Sequence, residues 1–221
     1  RYAEDDIRRV KIGGFDIDGI LRGKYLHLDK FWSLGDDGLG FCDVIFGWDS
    51  QDQLYDDSKV TGWHTGYPDV HAQLDPNTYR KIPWEPHTAA FLLDFDTPVS
   101  PRQVLRSVLD QLEAQGLSAK ASFEFEFFVF KEDAQDLQER NFADPEPLSH
   151  GMFGYSWLRG AQSAAWVHDL LDQLDAYGVR VEGLHTETGP GVREAALRYA
   201  DALAAADRAA LLKTAVKALS N

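Results

Sequence analysis

Two short stretches carry carboxylates at spacings that suit metal chemistry. The first is Phe123-Glu124-Phe125-Glu126-Phe127-Phe128-Val129-Phe130. In an extended strand side chains alternate between faces, so Phe123, Phe125, Phe127 and Val129 share one face. Glu124 and Glu126 share the other, followed there by Phe128 and Phe130. Like charges side by side in so apolar a strand need a proton, a cationic partner or a metal ion. The second stretch is Leu184-His185-Thr186-Glu187-Thr188-Gly189-Pro190-Gly191-Val192-Arg193-Glu194, with a second carboxylate pair. Glu124, Glu126, Glu187 and Glu194 are therefore read as converging on a divalent metal.

Composition sets the frame for such a site. The chain has 221 residues, enough for one or two domains with a real core. Hydrophobic content of 44% with 12% aromatics fits a globular protein. A net charge of −14 argues against a nucleic-acid or anionic-membrane surface, and an acidic solvated exterior accounts for most of it. The single cysteine, Cys42, rules out an internal disulfide framework and a cysteine-rich zinc site. No stretch approaches the roughly 20 apolar residues of a membrane span. The opening residues Arg1-Tyr2-Ala3-Glu4-Asp5-Asp6 lack both an apolar signal region and an initiator Met. A trimmed, cytoplasmic protein is the expectation.

The elements that must position the carboxylates follow from pattern and punctuation. Val10, Ile12, Phe15 and Ile17 read as a strand, Asp18-Gly19 as a hairpin turn, and Ile20 to Leu26 as the returning strand. Gly40 to Phe46 is a short apolar run. A long polar stretch then runs to Pro68, holding Asp49, Trp63, His64 and Tyr67; loops of such length are often functional. His64 and His71 are candidate ligands, though more simply ordinary loop residues. Asp75-Pro76-Asn77-Thr78-Tyr79 reads as a turn, Pro83-Trp84-Glu85-Pro86 as a bend and Ala89 to Phe95 as a buried strand. A boundary follows at Thr97-Pro98-Val99-Ser100, with Ser100 and Gln103 as a capping box and Pro101 at the first helical position. Val104, Leu105, Val108, Leu109 and Leu112 form an apolar helix face, and Gly116 is the stop. Beyond the glutamate strand, Lys131 to His150 reads as loop, Ala161 to Tyr177 as helix, Val179 to Leu184 as strand and Tyr199 to Leu219 as helix.

Taken in order, these motifs resemble the glutamine synthetase family over nearly the whole chain. Ile17-Asp18-Gly19-Ile20-Leu21-Arg22-Gly23-Lys24 resembles the opening hairpin of its β-grasp domain. Asp75 to Arg80 with Ile82-Pro83-Trp84 resembles the stretch before the last strand of that domain. Phe123 to Phe128 resembles its glutamate strand. His185-Thr186-Glu187 with Gly189-Pro190-Gly191 and Glu194 resembles its second ligand motif, and Asp201-Ala202-Leu203 with Asp207 and Lys213 the helix that follows. The resemblance implies an α+β fold: a β-grasp-like N-terminal domain over 1–97, then, over 98–221, the first part of a catalytic domain with an antiparallel sheet and helices packed behind it.

The same resemblance implies an ATP-dependent ligase. Glutamate is phosphorylated on its γ-carboxylate, and ammonia or an amine attacks the acyl phosphate. Oxygen ligands suit Mg²⁺ or Mn²⁺, which neutralises phosphoryl charge. By carry-over Glu126, Glu187 and Glu194 hold one ion and Glu124 contributes to a second. Glu187 also lies near the attacking amine, Tyr155 lines the amine site, and Asp49 is the nearest match to an ammonium-binding aspartate. Full-length members are expected to form ring-shaped homo-oligomers in which the N-terminal domain closes a neighbour's site. Val192, Arg193 and Thr186 depart from the family's usual Gln, His or Asn, and second His. These departures weigh against ammonia as the substrate and point to a γ-glutamyl-amine ligase of the same family as the alternative. The family's later phosphate-binding arginines have no counterpart here, so the chain is expected to be an N-terminal part that is inactive alone. The alternative is a non-catalytic structural or binding protein that keeps the fold.

Overall fold

The computed structural model describes residues 6–35 and 37–220. Residues 1–5, read above for the lack of a signal region, lie outside them. The chain divides into two compact units, Arg1–Ala119 and Lys120–Asn221.

The first unit opens with β1 (Arg9–Phe15) and β2 (Leu21–Leu26), an antiparallel hairpin. The hairpin is the expected one, but its turn is longer than Asp18-Gly19 alone. Buried Asp16 shapes it, its carboxylate accepting from the N–H groups of Asp18 and Ile20 and from Arg22 Nε at 2.8 Å. Of the two central residues only Gly19 takes positive φ. A short helix, α1 (Leu28–Ser33), follows, then β3 (Leu39–Cys42) and a 3₁₀ turn over Asp43–Phe46. Next come β4 (Asp69–Lys81) and β5 (Thr88–Phe95). The sheet runs β2-β1-β5-β4-β3, with β1 and β5 parallel and the other pairs antiparallel. Val10, Ile12, Phe91, Leu93 and Phe95 form its core with Ile45 and Phe46.

Two expectations are corrected in this unit. Asp75 to Tyr79 is not a turn between elements but an irregularity inside β4, between Asp75 and Arg80. The Asp and Asn turn chemistry is used locally: Asn77 N–H donates to Asp75 Oδ1 and Thr78 Oγ1 to Asp75 O. Helix α2 (Pro101–Glu113) forms as expected after Ser100, but the Ser100 side chain makes no cap hydrogen bond. What ties α2 down is ionic. Arg102, 4% exposed, donates to Asp75 Oδ2 at 2.9 Å and Asp94 Oδ1 at 2.5 Å, and Arg106 reaches the same two carboxylates. The sequence reading divides the chain at 97/98. The compact units divide at 119/120, because these pairs bind α2 to β4 and β5.

The second unit contains β6 (Lys120–Ala121), β7 (Glu124–Phe128), α3 (Ala134–Glu139), α4 (Trp157–Ala161) and α5 (Ala164–Ala176). They are followed by β8 (Val181–Thr186), β9 (Val192–Leu197), β10 (Ala200–Asp201) and α6 (Ala202–Leu219). The antiparallel sheet runs β7-β9-β8, and β6 pairs with β10. Leu170 and Leu174 of α5, Tyr177 at its C-terminal cap, and Ala205, Ala209 and Leu212 of α6 are buried. The 131–150 segment read as loop contains α3, started by Asp133, which accepts from the N–H groups of Gln135 and Asp136. The helix read from Ala161 to Tyr177 is α5, which starts three residues later at Ala164; the short helix α4 before it is absent from the sequence reading. Strand β9, central to the sheet, is absent from the sequence reading. The fold is a mixed α+β one, as read.

Candidate metal centre

Strand pairing lines up the second unit's carboxylates. Glu126 of β7 stands opposite Glu194 of β9, and Glu194 stands opposite His185 of β8. Paired residues in an antiparallel ladder share a face. Glu126, Glu194 and His185 therefore form one row across the sheet. Leu197 N–H bonds Phe123 O and Val129 N–H bonds Gly191 O, which fixes the alternation of the β7–β9 ladder. Glu126 and Glu194 fall at a non-hydrogen-bonded position, where side chains approach most closely. Glu124 is two residues back on the same exposed face. Glu187 is two residues beyond His185, held by its N–H to Val192 O at 3.2 Å. Glu124, Glu126 and Glu194 thus share one face of the sheet, and Glu187, one residue past the end of β8, stands beside His185 on that side.

The β8–β9 connection makes this possible. Gly189-Pro190-Gly191 turns the chain back, and Gly191 has φ +75°. A Cβ there would lie 2.6 Å from Val129 O, so only glycine fits without a shift.

His185 joins the acids. Its Nδ1 is 3.7 Å from Glu187 Oε2 and its Nε2 is 3.6 Å from Glu194 Oε2. His185, Glu187 and Glu194 each offer a donor atom within 4.8 Å of the others, and each is partly buried. His185 Nδ1 also lies 3.1 Å from Thr186 O. A carbonyl only accepts, so this contact is a hydrogen bond in those forms of the ring that carry a proton on Nδ1. The Thr188 hydroxyl donates to Glu187 Oε1 at 2.7 Å. That bond first, then the Thr188 N–H and the neighbouring His185, holds the Glu187 carboxyl below the usual glutamate range. Two carboxylates and an imidazole at this spacing fit a small hard cation of the Mn²⁺ or Mg²⁺ type. The sequence reading names the four glutamates as the ligand set, with His185 of the second ligand motif as an assisting nitrogen donor. The signal for that nitrogen is its position two residues before Glu187.

Tyr155 also reaches this cluster. Its ring lies on His185, centroids 4.1 Å apart and planes 20° from parallel. Its backbone, at φ +56°, donates N–H to Thr186 O at 2.8 Å. Asp49 belongs to the first unit. Its Oδ1 accepts from the N–H groups of Gln51 and Gln53, closing the turn between the bridged residues Trp48 and Leu54.

Residues 98–221 match the model of the glutamine synthetase catalytic domain. The chain belongs to the glutamine synthetase family. It is 49% identical to "Type-1 glutamine synthetase 2" of Dictyostelium discoideum over 96% of this chain and 42% of that protein. It is 31% identical to a glutamate–isopropylamine ligase of a Pseudomonas species, over 97% of this chain and 48% of that protein. Among solved structures, ligand-free GmaS superposes with a TM-score of 0.74 at 22% identity, over 98% of this chain and 48% of that one. That likeness establishes the glutamine synthetase type of fold. The chain spans about half the length of the curated relatives it matches. The family's catalytic-domain match begins before α2, whereas the compact second unit begins after it. Among the described residues no helix is long and apolar enough to cross a membrane.

Proposed function

We propose that this chain is the amino-terminal part of a cytoplasmic, ATP-dependent ligase that joins ammonia or an amine to the γ-carboxylate of glutamate through an acyl phosphate. The observation that carries this reading is the row Glu126–Glu194–His185 with Glu187 beside it. Glu126, Glu187 and Glu194 are assigned to one divalent ion, with His185 adding nitrogen, and Glu124 to a second. Mg²⁺ or Mn²⁺ held there would neutralise phosphoryl charge as ATP reacts.

The chain's own groups have separate tasks. Glu187, held ionised by Thr188, accepts a hydrogen bond from the incoming ammonium or amine and orients it. The exposed Tyr155 ring walls that side of the site and holds the His185 ring in plane. Asp49 is assigned to the amine site of a neighbouring subunit in a ring-shaped homo-oligomer. Its Oδ2 is the carboxylate oxygen left over after Oδ1 has closed the local turn.

The test is a paramagnetic titration of Mn²⁺ into the wild-type chain, Glu194→Ala and Glu126→Ala. Saturable binding in the wild type that weakens in both variants supports the site. No binding at millimolar ion, or equal binding by all three, refutes it. Glutamate- and amine-dependent ATP turnover by the full-length protein tests the reaction itself.

A further inference from the structure

On the face of the sheet opposite the carboxylates lies Arg193, only 1% exposed and the bulkiest of the fully buried side chains. No carboxylate pairs with it among the described residues. Its guanidinium bonds neutral oxygens instead. Nη1 donates to Val192 O at 3.0 Å and Ser149 Oγ at 3.4 Å, and Nη2 to Ser163 Oγ at 2.9 Å. Nε has no acceptor. A buried cation without a counter-charge is a costly way to fill space. Burial alone pulls its pKa down.

The two serines bracket the segment 150–162. That segment leaves the sheet, carries Phe153, Tyr155 and α4, and returns at the start of α5. Its middle rests on Thr186: Tyr155 N–H donates to Thr186 O and Ser156 N–H to Thr186 Oγ1 at 3.0 Å, while the Thr186 hydroxyl donates to Phe153 O at 2.8 Å. Thr186 is the cross-strand partner of Arg193. One residue pair in the β8–β9 ladder therefore grips the loop at three places, Thr186 at its middle and Arg193 at both ends.

We infer that Arg193 is a positioning residue for the metal and amine site, acting by fixing the 150–162 loop so that Tyr155 stays on His185. The inference rests on the reading of that site given above. Packing alone does not call for a donor fork that reaches two separate serines. A lysine has one donor centre and spans only one of them.

The test uses the 221-residue chain with Arg193→Met, which keeps length and loses all donors, and Arg193→Lys. Amide hydrogen exchange is followed at Tyr155 and Ser156, with Ala195 and Leu197 of β9 as the internal reference. Exchange at Tyr155 and Ser156 is expected to quicken by about tenfold or more in Arg193→Met, less in Arg193→Lys, with β9 unchanged. Mn²⁺ affinity is expected to fall by about tenfold, the scale of losing a group that orients a ligand. Unchanged exchange at Tyr155 and Ser156, or undiminished Mn²⁺ affinity in a folded Arg193→Met, overturns the inference. If that variant does not fold, Ser149→Ala and Ser163→Ala each release one end of the loop, and unchanged exchange in both overturns it equally. A wild-type chain that binds no Mn²⁺ refutes the ligase reading of the site instead. The exchange result alone then decides whether Arg193 positions Tyr155.

Discussion

Glu126 and Glu194 face each other across the β7–β9 ladder at the kind of position where an antiparallel sheet brings side chains closest. Two carboxylates directly opposite repel, and such pairs cost roughly 0.2–1 kcal/mol. Glu126→Gln should therefore raise the stability of the metal-free chain by up to about that amount. The same change should weaken Mn²⁺ binding. Urea denaturation with and without Mn²⁺ reads both effects, and a variant that loses stability in the absence of metal contradicts the arrangement.

The Arg102 pair network gives a pH-dependent prediction. Burial draws the Asp75 carboxyl upward, but hydrogen bonds from Arg102 and the Asn77 N–H outweigh it and hold the group below its usual value. A carboxyl depressed in the folded state stabilises the fold above its unfolded pKa of about 3.9. That contribution disappears as pH falls through the lower, folded value. Asp75→Asn should cost about 3 kcal/mol near neutral pH, the lower end for breaking a buried pair, since Asp94 still serves Arg102. The gap to wild type should close in strong acid. Denaturation midpoints across pH 2–7, roughly the span of these titrations, measure it; a gap that stays constant refutes the assignment.

Thr188 should set the acid limit of metal binding. Removing its hydroxyl in Thr188→Val takes away the main cause of the lowered Glu187 pKa. The carboxyl then protonates at higher pH, so Mn²⁺ binding should fail at higher pH than in wild type. Titration of the Glu187 carboxyl carbon by NMR gives the shift directly, and an unmoved curve rules the mechanism out.

Gly191 should tolerate no side chain. Alanine there would take a left-handed backbone and press on Val129 O, at a cost of about 1–3 kcal/mol. Because Gly191 closes the hairpin that sets Glu187 against Glu194, Mn²⁺ affinity should drop with stability. Thermal unfolding and Mn²⁺ titration of Gly191→Ala test the two together.

The glutamate strand was legible because it alternates with a period of two: Phe123, Phe125 and Phe127 on one face, Glu124 and Glu126 on the other. Buried β5 and helix α5 were legible for the same reason, an apolar pattern matched to one element. Strand β9 was not. In Val192-Arg193-Glu194-Ala195-Ala196-Leu197 the inward positions include Arg193, so the alternation of apolar and polar residues fails just where tertiary hydrogen bonds replace hydrophobic burial. Missing that strand hid the row that brings His185 to Glu194. At Asp75 the reverse occurred: real turn chemistry served a strand irregularity. The capping box at Ser100 was a local signal outweighed by ion pairs from sequence-distant Asp75.

Arg193 and Glu194 are one peptide bond apart, yet the pleat sends them to opposite faces of the same strand. The sheet acts here as an insulator between adjacent opposite charges. Were both on one face, the guanidinium would neutralise the carboxylate and leave nothing to attract an ion. Separated by the thickness of a strand, the positive charge serves as a mechanical fastening while the negative charge stays available on the face that meets solvent.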